Sequence, residues 1–166
     1  HVTQDGFQLV RADRKATESG KKKGGGIAVF VNDRWCHPGH ISVKEQLCTR
    51  DLELLAVSMR PYYLPREFSR YCRDCVNPPS AVAAAATDQI NTVIRRFKTS
   101  TPNPSSSSSG DFNHASLSSA LPTFTQYVKC HTRDNKTLDL LYANIKDAYT
   151  SSPSPRWVAQ ITTSSI

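Results

Sequence analysis

Asp51 to Met59 reads Asp-Leu-Glu-Leu-Leu-Ala-Val-Ser-Met, and Pro61 and Pro65 follow closely. Its apolar residues alternate as a sheet requires. A proline has no N–H to give to a ladder, so the run is a strand with a defined end. A second run, Ile27-Ala28-Val29-Phe30-Val31, follows Gly24-Gly25-Gly26 and is bounded by Asn32-Asp33. It predicts a turn leading into a buried strand. No Gly-Lys-Ser or Gly-Lys-Thr and no helix signal follow the glycines. A flexible hairpin tip carrying Lys21, Lys22 and Lys23 therefore explains them better than a phosphate cradle. The two strands are expected to pair antiparallel.

Ala81 to Lys98 carries the helical period: Ala83 to Ala86 precede Ile90, Val93, Ile94 and Phe97 at three-to-four spacing. Pro78-Pro79 before it and Pro102 after it are consistent with those limits. Leu117, Leu121 and Phe124 predict a short helical turn or loop. Thr137 to Asn144 predicts another strand, with Leu138, Leu140 and Leu141 in the core and Asp139 among them. A lone Asp in such a strand caps or pairs locally, or it orients a histidine. After Ser151, Pro, Ser and Thr dominate, and no core element is evident.

A length of 166 residues suits one domain with a real core. Lys and Arg outnumber Asp and Glu by 21 to 14, for a net charge of +7. That balance fits a polyanionic partner and also fits simple solubility. Apart from Lys21 to Lys23 and Arg95-Arg96 the basic residues are scattered. No apolar run reaches the roughly 20 residues that span a membrane, so no membrane partner is expected. The chain opens at His1 with no visible signal peptide, which leaves room for sequence upstream. Five cysteines without framework spacing point to reduced thiols in an intracellular protein. Cys72-x-x-Cys75 lacks the second Cys or His pair that a zinc finger needs.

Gly110-Asp111-Phe112-Asn113-His114 carries the chemistry. In extended backbone Asp111 and Asn113 point the same way, and Gly110 admits close approach of a ligand or neighbouring backbone. Asp111 would orient or deprotonate an attacking water, while the Asn113 amide would bond a non-bridging phosphate oxygen. For these five residues alone, a polar turn after a strand is the simpler reading.

Their ordered company changes that. Gly24-Gly25-Gly26 plus strand, Asp51-Leu52-Glu53, Arg60-Pro61-Tyr62-Tyr63-Leu64-Pro65-Arg66-Glu67-Phe68, Pro78-Pro79, Gly110 to Ala115, and Thr132-Arg133 followed by Thr137-Leu138-Asp139 occur in sequence. The set resembles the apurinic-type endonuclease domain of non-LTR (LINE-type) retrotransposons, within the exonuclease-endonuclease-phosphatase superfamily. The match runs from about Asp5 to Pro155. It implies an α/β (α+β) fold: a two-sheet β-sandwich flanked by helices, here incomplete at both ends. It also implies Mg²⁺-dependent nicking of DNA to prime reverse transcription, with a nuclear location. Asp111 and Asn113 match the catalytic Asp and the phosphate-contacting Asn. Asp139 matches the Asp that orients a catalytic His, and Arg60 and Arg66 are the expected DNA contacts.

The departures matter as much. The family's metal-binding Glu and upstream Asn lie N-terminal to this chain. Its catalytic Tyr falls where Val76-Asn77 stands, and its terminal Ser-Asp-His is absent. Mg²⁺ binding and activity are therefore expected to be lost, leaving a degenerate copy over 1–155 and an aberrant, disordered tail over 156–166. The rivals are a non-catalytic basic module that binds nucleic acid through Arg60, Arg66, Arg95, Arg96 and Lys21 to Lys23, and an active phosphodiesterase completed by sequence outside the chain. A shifted reading frame explains Tyr71 to Val76, Ser105 to Ser109 and the tail together. TCN serine codons read from the preceding base become NTC, which encodes only Phe, Leu, Ile or Val. As they stand, five serines and Tyr-Cys-Arg-Asp-Cys-Val are expected to fail as buried central strands.

Overall fold

A computed structural model describes residues 5–20, 26–63, 70–76, 83–100, 105–112, 117–118, 121–132, 135–147, 149–153 and 159–163. The elements are β1 (Phe7–Asp13), α1 (Ala16–Ser19), β2 (Gly26–Asn32), β3 (Cys36–Cys48), β4 (Glu53–Pro61) and β5 (Arg70–Val76). There follow α2 (Ala83–Ser100), β6 (Ser105–Asp111), β7 (Thr125–Gln126), β8 (Asp139–Ala143), β9 (Tyr149–Pro153) and β10 (Ala159–Thr163). Six strands form one sheet in the order β3-β4-β5-β6-β8-β7, while β1-β2 and β9-β10 are separate antiparallel pairs. Only β5 and β6 run parallel within the large sheet. A parallel pair needs a crossover, and α2 supplies it.

β4 organises the core because both of its faces are buried, and the period of two divides them. Leu54 and Ala56 pack with Ala86, Ile90, Val93 and Ile94 of α2, together with Phe112, Leu117, Leu121 and Tyr142. Leu55, Val57 and Met59 pack the other way, against Ala12, Ile27 and Val31 of the β1-β2 pair. The result is a sandwich of β1-β2 on the large sheet with a helix on its outer face. Leu121 N–H bonds the Leu117 carbonyl at 2.8 Å and Phe124 N–H the Leu121 carbonyl at 3.0 Å, the expected short turn. Cys36 is fully buried, and burial pushes its thiol up, which keeps it protonated and unreactive.

Three expectations need correction or extension. The runs at 27–31 and 51–59 do not pair with each other: β2 pairs with β1, and β4 with β3 and β5. Their apolar faces meet across the core instead, because each has a polar, unrecognised strand as its ladder partner. Second, Tyr71 to Val76 and Ser105 to Ser109 do form adjacent central strands. Ser106 and Ser108 are buried, yet Ser106 to Ser109 each engage a partner. The backbone is satisfied by ladders on both sides, and a hydroxyl is small enough to find its own bond. Third, Ala159–Thr163 within the tail pairs with β9 as β10. Among the described residues no helix is long and apolar enough to cross a membrane.

Candidate active site

The ladders place Glu53, Val76, Asp111 and Asp139 in one row across four neighbouring strands. Asp111 ends β6, Asp139 begins β8, and the two are direct Cα partners. Side chains directly opposite in an antiparallel pair share a face, with Cβ atoms about 5 Å apart. Asp111 and Asp139, each half-buried, thus bring two carboxylates to one face of the sheet.

The residues beside the pair hold it in place. Gly110 has φ of 139°, a backbone that only glycine adopts without strain, and it turns β6 just before Asp111. Phe112 donates its N–H to the Leu138 carbonyl at 3.0 Å, which continues the β6-β8 ladder past the acidic row. Its ring is fully buried and meets Tyr142 edge-on at 6.0 Å.

On the β8 side, Thr132 is 1% exposed. Its Oγ1 accepts the N–H groups of Leu138 at 3.0 Å and Asp139 at 3.1 Å. Its own N–H bonds the Lys136 carbonyl at 2.9 Å, closing the loop that delivers Asp139. In sequence Thr132 stands out only as part of the Thr132-Arg133 motif. Its positioning role depends on a hydroxyl meeting two N–H groups six and seven residues on, which spacing alone does not announce. Thr132→Val is expected to leave both N–H groups without that acceptor and cost about 1–3 kcal/mol, measured by urea denaturation.

Glu53, at the far end of the row, was likewise named only within the Asp51-Leu52-Glu53 motif, with no role of its own. It is buried, ion-pairs with Arg14, and accepts the Gly26 N–H at 2.9 Å. Arg60 lies at the other end of β4. Seven residues at roughly 3.3 Å each separate it from the acidic row by about 23 Å, and its guanidinium contacts His40. Arg60 and the acidic pair are thus not brought together. On α2, Arg96 pairs with Glu45 at 2.9 Å. Asn113, Arg66 and Lys21 to Lys23 lie outside the described residues.

Mg²⁺ demands near-octahedral oxygen ligands and rests on carboxylates, water and substrate phosphate. Among the described residues no group of three or more His, Cys, Asp or Glu side chains could hold a metal ion. Two opposed carboxylates alone do not make a resident Mg²⁺ site.

At the level of sequence the chain matches no family profile and no curated protein. Solved structures match it in fold. The endonuclease domain of TRAS1, a telomere-specific non-LTR retrotransposon, superposes with a TM-score of 0.57 at 15% identity, over 90% of this chain and 72% of that one. An endonuclease/exonuclease/phosphatase family protein from Bacteroides thetaiotaomicron gives 0.55 at 11% identity, over 96% of this chain and 69% of that one. D. rerio TDP2 complexed with single-strand DNA product gives 0.51 at 10% identity, over 89% and 67%. The chain spans about two thirds of the length of TDP2. Its α/β architecture is that of the endonuclease/exonuclease/phosphatase fold.

Proposed function

We propose that this chain is part of a phosphodiester-cleaving nuclease domain derived from a non-LTR retrotransposon endonuclease, and that by itself it does not cut DNA. The observation carrying the reading is the direct pairing of Asp111 with Asp139 where β6 ends and β8 begins. Motifs that are 28 residues apart in sequence meet there at one end of two neighbouring strands. A fold likeness to the TRAS1 endonuclease domain and to TDP2 bound to DNA supports nucleic acid as the substrate class.

In this reading the Asp111 carboxylate accepts a hydrogen bond from water, aligns its lone pair with phosphorus and takes its proton. Asn113 would hold a phosphate oxygen. Asp139 would orient a histidine that stabilises the reacting phosphate, but residues 140–166 contain no histidine. Attack on a phosphodiester gathers negative charge, and catalysis requires donors or cations aimed at it. The row holds three carboxylates, Glu53, Asp111 and Asp139, and the cation beside it, Arg14, is already engaged by Glu53. The chain therefore keeps the water-orienting half of a site and needs counter-charge from elsewhere.

Purified chain incubated with Mg²⁺ is expected to leave supercoiled plasmid intact. Nicking that disappears in Asp111→Ala would overturn the inactivity. Restoring upstream coding sequence that bears a strand-borne Asn and Glu is expected to produce Asp111-dependent nicking. A restored chain that binds DNA yet never nicks it would favour the non-catalytic basic module.

A further inference from the structure

The end of β4 remote from the acidic row has a different chemistry. Cys36 of β3 pairs with Pro61 of β4, which brings the β2-β3 turn beside the residues leaving β4. Tyr62 donates its N–H to the Trp35 carbonyl at 3.1 Å. The Trp35 and Tyr63 rings lie 6.3 Å apart, tilted by 54°. Tyr62 and Tyr63 are 57% and 55% exposed, more than any other large apolar side chain among the described residues. Arg34 is exposed in the same turn. Arg60 contacts His40, whose ring lies 5.4 Å from that of His37. Asp33 of that turn is bonded by Gln8 Nε2 at 3.0 Å.

We propose that Trp35, Tyr62 and Tyr63, flanked by Arg34 and Arg60, form a stacking platform for single-stranded nucleic acid. The exposed Tyr62 and Tyr63 rings offer π-faces to unpaired bases whatever their sequence, half-buried Trp35 backs Tyr63 from the core side, and neighbouring cations hold the phosphates. The net charge of +7 favours a polyanion over an acid-poor protein surface. The patch is aromatic and cationic rather than aliphatic, which also suits stacked bases. It lies about 23 Å or more along β4 from Asp111 by the strand rise, so it stands apart from the cleavage reading.

Fluorescence anisotropy with a labelled 12-nucleotide oligothymidine tests it, alongside an abasic strand of equal length. Replacing both tyrosines (Tyr62→Ala with Tyr63→Ala) is expected to weaken oligothymidine binding about 5- to 100-fold. Abasic binding should hardly change. The paired Tyr→Phe variant, which keeps both rings, should bind as the parent does. Absence of binding by the parent at low salt, an unchanged affinity in the Ala pair, or an equal loss toward the abasic strand would overturn the platform. So would a changed oligomeric state in the Ala pair with oligothymidine affinity intact, which would mark a protein interface. Ultraviolet cross-linking of oligothymidine to the unmodified chain needs no folded variant. Adducts should map to Trp35, Tyr62 or Tyr63, and adducts confined elsewhere would refute the assignment.

Discussion

Glu53→Ala is expected to destabilise the fold by about 3–5 kcal/mol, read as a lower urea midpoint with an unchanged slope. Arg14 follows β1, Gly26 opens β2 and Glu53 opens β4, so one carboxylate ties the β1-β2 pair to the large sheet. The Glu53 and Arg14 side chains are only 4% and 12% exposed. Removing either leaves the other charge with little water to replace its partner, and that uncompensated charge is the main cost. Loss of Glu53 also removes the acceptor for Gly26 N–H. Gly26 cannot readily shift to compensate: its φ is 113°, and a Cβ there would sit 3.0 Å from the Ala12 carbonyl. Arg14→Met alone should cost a similar amount. The double variant Arg14→Met with Glu53→Leu should recover most of the loss, since a pair replaced by apolar groups leaves no buried charge. A double variant as unstable as the sum of the singles would show that the clamp acts through something other than charge pairing.

Elements with their own apolar period were legible in the sequence. β4 and β8 lie within two residues of their predicted limits, and α2 is shifted by two at each end. β5 and β6 were not legible, because their support is non-local. β6 is held by β5 on one side and β8 on the other, so its serines need contribute only small volume and satisfied hydroxyls. β3 was hidden by the His-Pro-Gly at residues 37–39 inside it. The candidate site divides in the same way. Asp111 and Asp139 were named from motifs, but their opposition is a property of ladder register across an intervening loop. Glu53 with Arg14, separated by 39 residues, and Trp35 with Tyr63 are pairings that only the topology creates. The scattered basic residues suggested no stacking surface for this reason: its aromatic and cationic parts come from two segments joined by the β3-β4 pairing.

Phe112→Ala should be comparably damaging, at about 3–5 kcal/mol, and its second effect reaches the acidic row. The ring is fully buried between the α2-facing core of β4 and Tyr142, and it belongs to the largest cluster of buried side chains. Truncation loses the transfer free energy of the ring and leaves a cavity that the strands around it cannot close without moving. Phe112 N–H is also the ladder bond just beyond the Asp111–Asp139 pair. Fraying of that bond would let β6 and β8 separate where Asp111 and Asp139 oppose each other. Phe112→Leu keeps most of the volume and should cost well under half as much. Hydrogen exchange at Phe112 and Asp139 distinguishes the two effects. A loss of stability with both amides still protected would confine Phe112 to the core. Faster exchange at these amides than across β4 would show that this ring holds the acidic pair together.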